Sequence, residues 1–236
     1  ALIAVDEAMG GVAGQLDSIY DQLVSLRQEI ADKLGYKTYT PVGYGAMLRT
    51  DYGPEEVADF RKQIREIVVP LASKVRARQA KRLGLADDYC LHDEWVQDPR
   101  GVPLPKGDHD WMLKQAKSMF DDLGPDFSEF FETMQEFSLL DLKSREGKAG
   151  GGFCISFERW DVPFIFANFN GTQDDVLVFT HECGHAFQTW YCRPQPLLEY
   201  TWPTYEACEI HSMSFEFLTW PYMDLFFGED GDRFRR

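Results

Sequence analysis

Apolar residues recur at steps of three and four between Gln15 and Leu34 (Leu16, Ile19, Tyr20, Leu23, Leu26, Ile30, Leu34), the spacing of one face of an amphipathic helix. Gly35 stands where such a helix can end. Gly53 and Pro54 open a second helical pattern, Val57, Phe60, Ile64, Ile67, Val68, Leu71 and Val75, which Pro70 is expected to kink or divide. The glycines and prolines between 84 and 107 predict a long surface loop and the main internal boundary. Helical spacing resumes over 108–123 and 125–141, with Phe127, Phe130, Phe131, Met134 and Phe137 forming a stripe expected in the core. The texture then changes. A glycine-rich turn at 147–152 runs into a short β-like stretch ending at Phe157, and a second follows at 162–169, predicting a small hairpin or sheet. Thr172 and Asp174 offer caps for a helix from about Asp174 to Tyr191, which Pro194 cannot continue. A last helix is predicted over Thr204–Phe227, bent near Pro221. The pattern is that of a mainly α protein with a small β element.

Composition narrows the classes of partner. The 236 residues are 44% apolar, enough for one sizeable core or two modest ones. A formal charge of −15 with no basic run argues against nucleic acid or an anionic membrane as partner. Five cysteines, an odd number without CxxC spacing, suit reduced thiols in a cytoplasmic protein. No apolar run reaches the length of a membrane span, and the first residues lack the plan of a signal peptide. The chain opens inside an apolar, helix-like run and closes on GluAspGlyAspArgPheArgArg, so truncation at both ends is expected.

Chemistry enters at HisGluCysGlyHis, residues 181–185. Residues four apart share a helical face, so His181 and His185 can aim at one metal ion, and Glu182 can stand beside it to activate water. A catalytic zinc of this kind needs a third protein ligand. Glu209, separated from His185 by 23 residues on the next predicted helix, is the first choice, with Glu206 one turn earlier as the alternative. Glu216 suits a carboxylate that orients a histidine. His211 is expected on another face, Cys183 pointing away from the metal, and His92 and His109 in or beside the breaker-rich loop.

GlyLysAlaGlyGlyGlyPheCys (147–154), PheThrHisGluCysGlyHisAlaPheGln (179–188) and GluAlaCysGluIleHisSerMetSerPheGlu (206–216) resemble the oligoendopeptidase F and thimet oligopeptidase family of zinc metallopeptidases, and residues 43–57 resemble its oligoendopeptidase branch. The resemblance implies a helical zincin-type catalytic region with the small sheet bordering the cleft, and the whole of 1–236 as part of a single catalytic domain: helical to 83, a loop over 84–107, then the zinc-binding region. It implies one Zn2+ per chain on His181, His185 and Glu209, with Glu182 as general base. Gly151, Gly152 and Phe153 would pair with an extended peptide as an added strand. The implied reaction is hydrolysis of internal bonds of short peptides through a zinc-activated water. A zinc carboxypeptidase or dipeptidyl carboxypeptidase, or an inactive metal-bound peptide-binding module, stands as the alternative. Two positions depart from the family pattern: His211 where alanine is frequent, and Gln188 where many relatives carry histidine. The tyrosine and histidine that help stabilise the oxyanion in the family would come after Arg236.

Overall fold

The structure, a computed structural model, describes residues 2–86 and 88–235. It divides into two compact units, Ala1–Lys62 and Gln63–Arg236. The first unit is built from α1 (Leu2–Lys33), α2 (Thr40–Ala46) and all but the last residue of α3 (Pro54–Gln63). Helix α1 begins well before Gln15 and stops where expected: Gly35 takes φ +81°, and the Tyr36 amide donates to the Ala31 carbonyl at 2.9 Å. Its apolar positions are largely exposed, Ile19 at 54% and Ile30 at 44%.

In the second unit a π turn, Ile64–Val68, leads into α4 (Val69–Leu83). Pro70 has no amide hydrogen, and its ring crowds the carbonyl four residues back. The chain answers the predicted division with one widened turn and resumes its helix with proline in the first turn. Among the described residues of the segment 84–107 the one regular element is a 3-10 turn, Leu91–Asp93. Buried Gln79 of α4 donates to the carbonyls of Glu94 (3.0 Å) and Val96 (2.8 Å), which ties the middle of this segment to the helix.

Asp108 caps α5 (His109–Leu123), and α6 (Pro125–Glu136) follows. Phe130, Phe131 and Met134 are fully buried as expected, and Phe120 stacks on Phe131 with ring centres 4.4 Å apart. The stripe ends early. The chain leaves the helix after Glu136, Phe137 is 63% exposed, and Ser138 turns it at φ +54° into β1 (Leu140–Lys143), where a helix was predicted. The partner of β1 lies far along the chain, beyond the reach of local periodicity. Strands β2 (Phe153–Phe157) and β3 (Val162–Phe169) form the expected antiparallel hairpin, and β1 joins β3 in parallel, giving the order β1-β3-β2 with β2 at an edge. Ile165, Ala167 and Phe169 face the core, whereas Phe153, Ile155 and Phe157 are exposed.

Helix α7 (Gln173–Cys192) starts on a strong cap: the Asp175 carboxylate accepts the amides of Asn170 (3.0 Å), Gly171 (2.6 Å) and Thr172 (2.8 Å). Thr204 caps α8 (Tyr205–Thr219). The predicted last helix is interrupted at Pro221 by a 3-10 turn, Trp220–Tyr222, before α9 (Met223–Phe227) and the short α10 (Gly231–Phe234). Among the described residues no helix is long and apolar enough to cross a membrane.

Candidate metal centre

Helices α7 and α8 carry every donor of the candidate centre. Gly184 sets how closely they pack. A side-chain carbon there would stand 2.7 Å from Ser212 Cα, 2.9 Å from Phe215 Cβ and 3.0 Å from the His211 carbonyl oxygen. Only a residue without Cβ admits this approach. His181 therefore reaches Glu216, and both His181 and His185 reach Glu209, so the helices run in opposite senses across the contact.

Glu209 Oε2 lies 3.2 Å from His181 Nε2 and 3.6 Å from His185 Nε2. The three side chains form a group whose donor atoms all lie within 4.8 Å of one another. Glu206, the alternative, is exposed in the first turn of α8 and outside this group. The other side of His181 is fixed by Glu216, whose Oε1 is 2.7 Å from Nδ1. With Nδ1 engaged there, Nε2 is the ring nitrogen turned toward Glu209 and open to a metal. Burial, reinforced by the neighbouring His181, holds His185 below the ordinary imidazole range and so keeps it in the neutral, ligating form. Glu182 is 7% exposed; burial pushes its carboxyl above the ordinary range, with Glu209 adding to the rise and His181 opposing it.

The donor set can be tested against zinc. Bonds of about 2.0–2.1 Å in a tetrahedron place neighbouring donors about 3.3–3.4 Å apart, and the observed 3.2 and 3.6 Å bracket that edge. Two imidazoles and a carboxylate also suit zinc chemically. A second trio, Cys90, His92 and Asp93, also lies close together. Local turn geometry accounts for it: the Asp93 carboxylate accepts the Cys90 amide at 2.8 Å in a capping box, and Cys90 and His92 are exposed.

Sequence reasoning passed over Ser212. It is fully buried, and its hydroxyl lies 2.9 Å from Glu209 Oε2 and 3.1 Å from the Glu209 carbonyl, holding the carboxylate from behind. Its place three residues after Glu209, on the same helical face, was the available signal. Cys183 is fully buried and His211 exposed, on other faces of their helices. Gly152 packs on α7: a Cβ there would meet Val178 Cγ1 at 2.9 Å and Glu182 Oε1 at 3.7 Å. The glycine-rich stretch thus passes beside Glu182, and Phe153 follows it as the first residue of edge strand β2.

A mainly helical frame that gathers two histidines of an HExxH helix and a glutamate of the next helix has the donor arrangement of the metallopeptidase class. Residues 114–232 match the model of peptidase family M3, and the chain belongs to that family. It is 25% identical over 168 residues to oligoendopeptidase F of Lactococcus lactis subsp. cremoris, an alignment covering 69% of this chain and 26% of that protein. Among solved structures it is similar to PZ peptidase A with an inhibitor (48% identity, TM-score 0.90, 96% of this chain and 40% of that one). It is equally similar to a chain assigned as oligoendopeptidase F from Bacillus anthracis str. Ames (48% identity, TM-score 0.89, 96% and 42%). The chain spans well under half the length of these relatives.

Proposed function

We propose that this chain forms the catalytic core of a zinc metalloendopeptidase that cleaves internal bonds of short peptides. The carrying observation is that donor atoms of His181, His185 and Glu209 lie within 4.8 Å of one another, with buried Glu182 next to His181 on the same helix. In this reading His181, His185 and Glu209 hold one zinc ion. Zinc in such a setting supplies Lewis-acid chemistry, polarising the scissile carbonyl and acidifying water. Glu182 takes the proton from the attacking water and delivers it to the departing amine nitrogen, and the raised affinity of its carboxylate for a proton suits both transfers. Glu216 and Ser212 keep a histidine and the carboxylate aimed. Gly151, Gly152 and Phe153 offer backbone at the sheet edge to an extended peptide, which gives affinity with little side-chain selectivity.

The test is Glu182→Gln with an internally quenched peptide blocked at both ends. The wild type is expected to bind one zinc and cleave the peptide, and the variant to keep the zinc and lose turnover. A variant as active as the wild type would overturn the assignment of Glu182. Cleavage only of peptides with a free C-terminus would make the enzyme a carboxypeptidase. Zinc and peptide binding without cleavage would make it a binding module.

A further inference from the structure

The glycine-rich stretch is anchored from two directions, and neither anchor belongs to the metal centre. Lys148 points inward. Its side chain is 1% exposed, and its Nζ donates to the carbonyls of Asp141 (2.9 Å), Lys143 (2.9 Å) and Ala167 (2.6 Å), with Asp141 Oδ1 at 3.1 Å. The same ammonium stands 4.4 Å from the centre of the Phe166 ring. Its acceptors surround the irregularity in β1 between Asp141 and Lys143, where the ladder to β3 shifts register. A buried ammonium is costly unless its hydrogens are satisfied, and here acceptors exist for all three.

Asn168 of β3 is the second anchor. Its Nδ2 donates to the carbonyls of Ala149 (2.8 Å) and Gly151 (3.0 Å). Between them the two side chains hold the backbone on either side of Gly150, in a stretch where Gly147 and Gly151 take positive φ. The next residue, Gly152, is the one pressed against Val178 and Glu182. Phe166, beneath the Lys148 ammonium, stacks on Phe153 with ring centres 5.0 Å apart and planes within 11°. Contacts therefore run without a gap from the β1 irregularity, through Lys148 and Asn168, to the backbone beside Glu182.

We propose that Lys148 and Asn168 are positioning residues of the peptide cleft, fixing the 149–153 backbone beside Glu182 so that an extended substrate meets a preformed wall. This rests on the peptidase reading above. A stretch so rich in glycine loses more freedom on ordering than any other composition. Without the clasp that loss falls on substrate binding, whereas the donors on α7 and α8 stay as they are. The consequence is a rise in KM with little change in kcat or zinc content.

The test uses the zinc-loaded full chain carrying Asn168→Ala or Lys148→Met, with three readouts: zinc stoichiometry, amide hydrogen exchange of 149–153, and KM and kcat on the quenched peptide. Asn168→Ala removes two hydrogen bonds from a half-buried side chain, so it decides the matter even where Lys148→Met fails to fold. The expected result is one zinc per chain, exchange at 149–153 faster by about tenfold or more, and KM raised about tenfold with kcat within about threefold. Unchanged exchange, or faster exchange with unchanged KM, in an Asn168→Ala protein whose parent cleaves normally overturns this proposal alone. Loss of zinc with an equal fall in kcat overturns it too, because the residues would then be structural supports of the whole site. A wild type that neither binds nor cleaves peptide overturns the peptidase reading, and this proposal with it.

Discussion

Gly184→Ala sets two effects of opposite sign against each other. Gly184 lies inside α7, where replacing glycine by alanine favours the helix by about 1 kcal/mol. The new methyl would stand 2.7 Å from Ser212 Cα and 3.0 Å from the His211 carbonyl. Both are backbone atoms and cannot rotate away. Carbon contacts are comfortable at about 3.5–4.0 Å, so α8 would have to retreat by roughly 1 Å. Overpacking of this kind costs about 1–3 kcal/mol. The difference is a net loss of about 0–2 kcal/mol, which lowers Tm by up to about 8 °C for a chain of this size.

The same retreat acts on the metal centre. Glu209 rides on α8, and the histidines ride on α7. A shift of roughly 1 Å opens the 3.2 and 3.6 Å separations past the limit that two zinc bonds can span, about 4.1 Å even in a straight line. Zinc affinity is expected to fall at least about tenfold, which removes about 1.4 kcal/mol from the stabilisation that saturating zinc confers. Turnover is expected to fall on the order of a hundredfold. Thermal melts with and without zinc, and titration against a chromophoric chelator, read the two effects separately. A variant that melts higher than the wild type and binds zinc equally well would refute the claim that glycine sets the approach of these helices.

Glu216→Ala is expected to weaken zinc binding about 10–100-fold while leaving the zinc-free Tm nearly unchanged, because Glu216 acts by aiming His181, as chelator competition would show. Asp175→Ala deprives three amides at the start of α7 of their acceptor and is expected to cost about 2–3 kcal/mol, seen as a lower midpoint in urea with an unchanged slope. Asp141 is held down to about 2, first by the paired hydrogen bonds from Arg145 and then by Lys148. Its stabilising contribution is therefore full above its ordinary value of 3.8 and drains away as pH falls toward 2. The Tm gap between wild type and Asp141→Asn is expected to be constant above about pH 4 and to narrow as pH approaches 2; a gap that stays constant to pH 2 would contradict this.

What could be read in the chain follows how far each feature reaches along it. The two histidines are four residues apart, so helix geometry alone puts them on one face, and the structure gathers them as expected. The Phe130, Phe131 and Met134 stripe and the β2–β3 hairpin are likewise local, and both formed. Strand β1 was misread as helix because its apolar run, LeuLeuAspLeu, fits either period, and its parallel partner lies beyond the glycine-rich loop. The interruption at Pro70 was foreseen but its form as a π turn was not, since proline's missing hydrogen bond can be absorbed in several ways. The face of α1 shows the converse: its periodicity gave the helix but not burial. Glu209 stands between these cases. Its helix and its distance along the chain were readable, whereas its choice over Glu206 depended on the rotation of α8 against α7. That rotation is set at the crossing, where Gly184 accepts Ser212 and turns Glu209 toward both imidazoles. One of the two unspecified positions of HExxH thus shapes the candidate centre in this chain: the glycine carries no donor, but without it Glu209 would not reach the two imidazoles.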